Sequence, residues 1–290
     1  MTFPLRALLS CAAAAVLLLP AQRIVSSPVS PADLSSNAQV GNSQALRNKA
    51  EQLFAMANQV RAARGLNALQ WDPALAAAAL YHCARMAAEG PISHQYAGEP
   101  DLGERAGQAG AHFSLLEENV ADGEQPAQIH DAWMHSQGHR DNLLNPAVDR
   151  LGVAVVARGN TLYAVEDFSR SVQVLSAEQV EATVSHLVAE AGVSPHANSV
   201  GARLACAQDH GLPVSLDNRR PEFIMRWQDA ELSHLPGALL DRIATGKYHE
   251  AAVGSCPSQS AEHTFTVYRV AVLLLKPEQA AASRTYLSSK

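Results

Sequence analysis

The stretch HSQGHRDN, residues 135–142, places two histidines four positions apart beside an arginine, an aspartate and an asparagine. On an uninterrupted helix His135 and His139 would share a face, which is a spacing that metal ions use. Gly138 lies between them, and a glycine tends to end or break a helix, so the pair need not share a face. The pattern leaves open whether this stretch binds a metal, does chemistry or only supports the fold. We expect His135 to be a surface residue.

Other polar and aromatic residues near this stretch are expected to be structural. Arg140 and Asp141 could form a local ion pair, and Asn142 could cap a helix or bind the backbone of the LLNP segment that follows. The histidines expected to be solvent-facing or satisfied by core hydrogen bonds are His82, His112 and His130. The tryptophans expected to be large core anchors are Trp71 and Trp133.

Composition limits the class of protein. The chain has 290 residues, of which 47% are hydrophobic, and a formal net charge of −6. This is enough for one large or two ordinary domains with real cores. The charge is spread along the chain, and the sequence has no run of Lys or Arg that would form a basic patch for binding nucleic acid. We therefore expect a soluble globular protein that does not bind nucleic acid.

The N-terminus is typical of an exported protein. Arg6 precedes a short apolar run over residues 7–20, and small residues follow it. This pattern predicts a signal peptide over residues 1–26. The run is too short to span a membrane comfortably. Cys11 lies inside the run rather than at its end, which disfavours lipidation.

The segment after the signal has no apolar period. Residues 27–44 are rich in Ser, Pro, Asn and Ala, which predicts a flexible linker. The mature chain is therefore predicted to be secreted or to lie in the periplasm or cell envelope, without a transmembrane span.

Three cysteines, Cys83, Cys206 and Cys256, remain if the signal is removed, and the compartment is then oxidising. Cys206 and Cys256 both lie in the C-terminal half, whereas Cys83 falls in an alanine-rich helical stretch. We therefore predict a Cys206–Cys256 disulfide, which would stabilise the fold by about 4 kcal/mol in the chain-entropy model. The alternative is three buried thiols, and Cys83 is a small core residue in either case.

Two helices are predicted upstream of the histidine-rich stretch. The first begins near Ala45, carries apolar residues on one broad face and ends at Gly65. The second has Asp72 as its N-cap, Pro73 at its first position and Gly90 as its terminator.

A third helix and a hairpin complete the first half of the chain. The helix is predicted over residues 126–136, with Ile129, Ala132 and Trp133 facing inward. Residues 151–169 read as two strands around the turn signal Arg158-Gly159-Asn160.

Several motifs then occur in a characteristic order. The segments are LFAMANQVRAARGLNALQWDPALAAAA, ISHQ, EENVADG, AWMHSQGHRDNLLNP, LGVAVV and YAVEDFS, between about residues 45 and 169. In this order they resemble a bacterial member of the CAP superfamily, also called the SCP or PR-1-like family. The resemblance implies an α-β-α sandwich with a cleft, over residues 45–172. The predicted fold class is α+β, a CAP-type sandwich followed by a smaller α+β module.

The resemblance assigns candidate cleft residues one by one. His94 in ISHQ matches the family's first cleft histidine, Glu118 in EEN matches the glutamate of its Glu-Asn motif, and His139 in GHR matches its second histidine. Many animal and plant members carry another glutamate three residues after the helix tryptophan, and here that position is Ser136. The tetrad is therefore incomplete.

Two neighbours of these residues are further candidates. Glu117 could compete with Glu118 for the inward position, because neighbouring strand residues point to opposite faces, and the motif favours Glu118. Arg105 is a candidate to line or brace the cleft.

Three chemical interpretations follow for His94, Glu118 and His139. Two imidazoles and a carboxylate are a common first shell for zinc and leave a position open for water. The same groups could polarise a water for general-base work. Alternatively, Glu118 accepts hydrogen bonds from both histidines and only secures the cleft floor. We favour this last interpretation, and zinc held by His94 and His139 is the alternative cofactor prediction.

The expected function is therefore a binding module rather than an enzyme. The resemblance implies this, because members of the family more often look like secreted binding or signalling modules than enzymes with a settled reaction. The predicted partner is a small ligand, lipid, peptide or envelope component. The alternatives are a metal-assisted hydrolase that uses the same cleft and a structural envelope protein with a vestigial cleft.

Residues 176–280 are predicted to form the smaller α+β module, of unknown function. A helix begins near Ser176 and ends at Gly192. The remaining elements are a helix over 202–211, a strand over 222–228, a helix over 237–246, and strands over 249–256 and 264–275. We find no catalytic motif in this module and no sequence repeat that relates it to the first domain.

Overall fold

Two four-stranded sheets with their helices organise the chain. The computed structural model describes residues 31–208, 210–211, 216, 219–257 and 265–276. The predicted signal peptide over residues 1–26 and the end of the predicted C-terminal module lie outside these residues. Within the described part, no helix combines the length and the apolar composition needed to cross a membrane.

The helices are α1 (Pro31–Ala63), α2 (Pro73–Glu89), α3 (Leu102–Gln108), α4 (Pro126–His135), α5 (Gln137–Leu143), α6 (Ala177–Glu190), α7 (Val200–Ala207) and α8 (Gly237–Ile243). The strands are β1 (Gln70–Trp71), β2 (Phe113–Gly123), β3 (Arg150–Arg158), β4 (Thr161–Ser171), β5 (Ser194–Pro195), β6 (Phe223–Asp229), β7 (Glu250–Cys256) and β8 (Tyr268–Leu275).

The first helix begins earlier than predicted. Helix α1 starts at Pro31. The prediction of a flexible linker over residues 27–44 is therefore wrong from Pro31 onward, because the chain is helical there. Proline is favoured at the first position of a helix, because its fixed φ suits the helix and its missing N–H has no intrahelical partner there. No further proline follows before Ala63 to interrupt the helix.

The predicted start and end of the second helix are confirmed. The Asp72 side chain accepts hydrogen bonds from the N–H groups of Ala74 and Leu75, at 2.8 and 3.1 Å. Such a cap satisfies backbone donors that have no partner inside the helix. At the other end, the Gly90 N–H donates to the Met86 carbonyl at 2.9 Å.

The helix that carries Trp133 breaks before His139, but not where the sequence predicted. The break lies at Ser136, whose backbone is extended (φ −88°, ψ 125°), and Gly138 lies inside the next helix, α5. His135 and His139 therefore belong to different helices. Trp133 is fully buried and its Nε1–H donates to the Val120 carbonyl at 3.1 Å. Ile129 is buried as predicted, whereas Ala132 is exposed, so the inward position predicted for Ala132 is wrong.

Trp71 is not the core anchor that the sequence predicted. It is 36% exposed and packs edge-on against Phe54, with ring centroids 5.3 Å apart. The reason is its position on β1, a two-residue strand at the margin of its sheet.

The first sheet has the strand order β1-β3-β4-β2. Strands β3 and β4 form the predicted hairpin, in which Gly159 adopts a positive φ of 60° that favours glycine. Helices α1, α4 and α5 bury apolar side chains with one set of strand residues. Helices α2 and α3 contribute to separate apolar clusters with other strand residues. These layers make the α-β-α sandwich that the resemblance implied.

The second sheet repeats this topology, although the sequence showed no repeat. Its order is β5-β7-β8-β6. As in the first sheet, a two-residue strand runs parallel to its neighbour and the other pairs are antiparallel. Helices α6 and α8 pack with one cluster and α7 with another. The predicted smaller module is thus a second α-β-α sandwich.

One close contact recurs in both sandwiches. Gly152 on β3 lies against α2, where a Cβ would come within 2.1 Å of the Ala76 backbone nitrogen. Gly254 on β7 lies against α7, where a Cβ would come within 2.2 Å of the Ala202 carbonyl carbon. Each helix therefore packs directly on the backbone of its strand.

The predicted disulfide is confirmed. Cys206 on α7 is bonded to Cys256 at the end of β7, so it joins the helix to the strand that Gly254 brings close. Cys83 is the free thiol of the described residues and is buried on α2. Burial raises the pKa of Cys83 to about 12, which keeps it protonated and unreactive.

Strand β4 carries two adjacent buried carboxyl groups, Glu166 and Asp167. Neighbouring strand residues point to opposite faces, so the two groups lie on opposite sides of the sheet. The Asn119 amide donates to Glu166 Oε2 at 3.3 Å, and Glu166 Oε1 has no hydrogen-bond partner among the described residues. Burial raises the pKa of Glu166 to about 8.

We expect that a methyl side chain at Gly152 or Gly254 would destabilise the fold. Substitutions Gly152→Ala and Gly254→Ala should each lower the free energy of unfolding by roughly 1–3 kcal/mol or more, because the helix must move off its strand. Denaturant unfolding measures this. Gly138→Ala is the matched control, since no atom lies within 4 Å of its added Cβ and alanine in a helix should stabilise by up to about 1 kcal/mol. Equal stability of all three variants would contradict the packing.

We expect Glu166→Gln to stabilise the protein at neutral and alkaline pH. The unfolded chain releases the Glu166 proton near pH 4.5, whereas the folded state keeps it up to about pH 8. The free energy of unfolding therefore falls as pH rises through this window. Glutamine removes that loss, which over the whole window is on the order of 5 kcal/mol. Urea unfolding at several pH values would show a gain that grows from pH 5 to pH 8, and a pH-independent difference would contradict it.

Candidate functional site

The structure brings His94 and Glu118 into contact. His94 lies in the loop after α2, Glu118 lies on β2, and His94 Nδ1 is 2.8 Å from Glu118 Oε1. The His94 side chain is 60% exposed, whereas that of Glu118 is 3% exposed. The hydrogen bond to Glu118 raises the pKa of His94, because the carboxylate favours the imidazolium. The pair thus joins a buried acceptor to an exposed ring.

Glu118 rather than Glu117 faces this site, as the motif suggested. Glu117 Oε1 instead accepts a hydrogen bond from the Asn145 amide at 2.8 Å. Burial raises the pKa of Glu117. The alternation of side chains along β2 separates the two carboxyl groups.

Arg105 braces the site. This buried residue of α3 places Nη2 2.5 Å from Glu118 Oε2. Its Nη1 donates to the Pro100 carbonyl at 3.1 Å. Helix α3 is held in place by a reciprocal capping box between Asp101 and Glu104. Both oxygens of Glu118 are therefore occupied, one by Arg105 and one by His94.

A second carboxyl group, Asp167, lies beneath Glu118. The two residues are directly opposite each other on β4 and β2, so their side chains are close and share a face of the sheet. Among the described residues, no N–H or hydroxyl group donates to either carboxyl oxygen of Asp167, and its hydrogen-bond partner is the Glu118 carboxyl group. Burial, followed by the charge of Glu118, raises the pKa of Asp167 well above its usual range. Burial and the neighbouring carboxylate therefore favour the neutral form of Asp167 behind the site.

His139 lies on α5 beside the pair but is not bonded to it. The Asn119 amide donates to the His139 carbonyl at 3.1 Å. Among the described residues, the hydrogen bonds of the Glu118 carboxylate go to His94 and Arg105 and not to His139. Burial lowers the pKa of His139, and the charge of His94 lowers it further. The favoured sequence interpretation is thus correct for His94 and wrong for His139, because Arg105 takes the second oxygen of Glu118.

Asn142 fixes this arrangement in a way that the sequence did not predict. Its amide donates to the Glu118 carbonyl at 3.2 Å and to Asn119 Oδ1 at 3.0 Å. It therefore ties α5 to β2, rather than capping a helix or binding the LLNP backbone. The reason is that α5 extends to Leu143, which places Asn142 within the helix and against the strand.

The remaining residues of the histidine-rich stretch lie outside this contact. Ser136 is half-buried at the α4–α5 junction, and its side chain makes no capping hydrogen bond. His135 is exposed and pairs with Asp131 on its own helix, as predicted for a surface residue. Arg140 donates to the Met134 carbonyl at 3.0 Å instead of pairing with Asp141, so that prediction is wrong.

His82 and Glu99 form a second, wholly buried pair next to the site. Both side chains are 0% exposed, and His82 Nδ1 is 2.8 Å from Glu99 Oε1. The expectation of a histidine satisfied by core hydrogen bonds is confirmed for His82. His112 is exposed, as expected, and its Nδ1 lies 3.3 Å from Thr266 Oγ1. The expectation is wrong for His130, whose Nδ1 is buried without a hydrogen-bond partner among the described residues, and burial lowers the pKa of His130.

The residues present do not complete a zinc site. In the described part of the chain, no three His, Cys, Asp or Glu side chains are grouped to hold a metal ion. Catalytic zinc sites typically use three protein ligands. His94 and His139 offer two imidazoles, and Glu118 is already engaged.

Sequence reasoning missed Asp167, Asn119 and the His82–Glu99 pair as parts of this region. One signal for Asp167 was available, since YAVEDFS reads as a buried strand interrupted by two carboxylates. Buried carboxylates are rare unless they are paired or perturbed, and such groups mark candidate functional sites.

Comparisons with known proteins found one matching family model and several similar proteins. Residues 54–169 match the family model CAP, described as the Cysteine-rich secretory protein family. Two curated relatives come from Bacillus subtilis. The uncharacterized protein YkwD is 32% identical over 109 residues, which cover 36% of this chain and 41% of the relative. The uncharacterized membrane protein YlbC is 33% identical over 109 residues, which cover 36% of this chain and 31% of the relative. The chain spans less than half the length of these relatives.

Among solved structures, an extracellular SCP-domain protein from Bacillus anthracis is 28% identical, with a TM-score of 0.42 over 50% of this chain and 45% of that chain. An outer surface protein from Borrelia burgdorferi is 22% identical, with a TM-score of 0.41 over 43% of this chain and 93% of that chain. The family match covers the part of the chain that carries His94, Glu118 and His139, and residues 54–169 are therefore a CAP domain.

Proposed function

We propose that this protein is a secreted or envelope CAP-domain protein whose cleft binds a small ligand, a lipid or a peptide through His94. One observation carries the proposal. The Glu118 carboxylate is buried and has both oxygens engaged, while the ring that it orients is largely exposed. The site therefore presents a fixed imidazole to the outside rather than a free carboxylate.

The chemistry of His94 indicates which ligand groups it would recognise. Glu118 holds Nδ1, so Nε2 is the nitrogen available to a ligand. The raised pKa of His94 favours the doubly protonated ring, in which both nitrogens are donors. A carboxylate, phosphate or carbonyl oxygen would accept the Nε2–H hydrogen bond. His139, whose pKa is lowered, would stand beside it as a neutral ring.

A hydrolase is the second candidate, supported by one feature of the same geometry. A histidine whose Nδ1 is held by a carboxylate can use Nε2 as a general base. Against it, Ser136 stands where many family members carry a second glutamate, and Glu118 has no free oxygen for a water. We therefore favour binding without catalysis.

The proposed organisation follows the sequence boundaries. We propose that the chain consists of a signal peptide over residues 1–26, a CAP domain over 45–172 and a C-terminal module over 176–280. Localisation outside the cytoplasm is supported by the Cys206–Cys256 disulfide, since disulfides persist in oxidising compartments.

We expect a ligand to be retained by the purified protein and to depend on His94. Organic extraction followed by mass spectrometry should recover the same small molecule from the wild type and from His135→Ala, and less of it, by about tenfold, from His94→Ala. His135→Ala is the matched control, because it removes an exposed histidine that contacts only Asp131 on its own helix. Equal recovery from all three proteins, or nothing from the wild type, would refute binding through His94.

We expect no stoichiometric zinc binding at neutral pH, because two imidazoles lack a third protein ligand. Calorimetry with ZnCl₂ on the full chain, beside a folded His94→Ala/His139→Ala variant, checks this. Zinc uptake by the wild type that disappears in the double variant would favour the hydrolase and justify assays for it.

A further inference from the structure

We propose that His82 and Glu99 are positioning residues of the cleft, which clamp the loop that carries His94 so that its ring meets Glu118. The inference concerns the site of the proposed function, but it is tested without a ligand. Its failure and the failure of ligand binding are therefore distinguishable.

The first half of the clamp joins the loop to α2. His82 is fully buried, and its two ring nitrogens contact Glu99 Oε1 and the Ser93 carbonyl, each at 2.8 Å. A carbonyl can only accept, so Nε2 must carry a hydrogen. Ser93 directly precedes His94. His82 therefore fixes the backbone one residue before the cleft histidine.

The second half closes the loop on itself. Glu99 Oε2 accepts the Tyr96 N–H at 2.9 Å, and the Glu99 carbonyl accepts the Gln95 side-chain amide at 2.9 Å. The Glu99 side chain is fully buried. One buried carboxylate thus binds α2 through His82 and the turn of the loop through Tyr96.

Arg105 connects this clamp to the site. Its Nη1 lies 4.0 Å from Glu99 Oε1 and 3.4 Å from the His94 carbonyl, while its Nη2 binds Glu118. The contacts form a closed circuit that runs from His82 through Glu99, Arg105, Glu118 and His94 back to the loop. The exposed ring of His94 is therefore held by backbone contacts on both sides.

A buried ionisable pair is a weak source of stability, since desolvation opposes its attraction. Its more specific effect here is geometric. Free of the clamp, an exposed loop histidine would sample several rotamers and lose part of its contact with Glu118. Because that contact raises the pKa of His94, this pKa reports directly on the positioning.

The test is an NMR titration of the His94 ring in the full chain, with the signal assigned from a His94→Gln variant. We compare wild type, His82→Gln and Glu99→Gln. In both variants the pKa of His94 should fall toward that of an unpaired histidine. The charged and titratable groups that face His94, namely Glu118, Arg105 and His139, are unchanged in all of them.

His82→Gln separates positioning from charge. Loss of a positive charge at residue 82 would raise the pKa of His94, whereas loss of positioning lowers it. Asn58→Ala is the matched control, because Asn58 also makes two hydrogen bonds to a loop, through the N–H and carbonyl of Leu69 at 2.7 and 3.0 Å. It should lower the free energy of unfolding and leave the His94 pKa unchanged.

The outcomes decide between the two roles. A lowered His94 pKa in His82→Gln and Glu99→Gln, but not in Asn58→Ala, supports the clamp. An unchanged or raised His94 pKa in the folded variants would overturn it and leave the buried pair as a purely structural contact. If His82→Gln does not fold, Glu99→Gln decides alone, because Glu99 is not among the groups that raise the His94 pKa.

Discussion

A carboxylate taken out of water needs charge and donors around it, and the Glu118 side chain meets that requirement from two separate parts of the chain. Arg105 comes from a short helix and His94 from a loop, and both must be in place for the buried charge to be tolerated. The local devices of the region serve this end. The capping box starts α3 at the right residue, and the His82–Glu99 pair holds the loop. The raised pKa of Asp167 favours its neutral form, which avoids a second buried charge beside Glu118.

The second sandwich has the same topology but no buried carboxylate at the position of Glu118. Gly254 occupies the position on β7 where a helix approaches the strand backbone, as the glycine of β3 does in the first sandwich. Across the sheet from it lie Ala271 and then Arg226, where the first sandwich has Asp167 and Glu118. The strand framework is therefore retained while the acidic pair is replaced. Cleft chemistry belongs to the first sandwich, and the second adds a disulfide between its helix and its strand.

Local signals in the sequence were sufficient for most of the fold. Asp72, Pro73 and Gly90 define α2 because caps and terminators act over a few residues, and the turn at Gly159 defines the hairpin for the same reason. The resemblance located His94 and Glu118. Neither kind of signal could reveal Arg105 as the partner of Glu118 or place His82 under the loop, because those contacts depend on how α2 and α3 pack. The repeat of the topology was also hidden, because the two sandwiches share strand order and backbone contacts rather than side chains.

The strand that carries Glu118 is the outer strand of its sheet, and this position has a consequence for self-association. Three of its backbone carbonyls accept hydrogen bonds from outside the sheet: that of residue 113 from the Thr266 N–H, that of residue 118 from the Asn142 amide, and that of residue 120 from the Trp133 indole. An outer strand with unpaired carbonyls would be a template for a strand from another molecule. The residues that shape the cleft thus also block edge-to-edge aggregation. A change that loosens α5 would expose the edge of β2 to strand pairing with another molecule, as well as exposing the site.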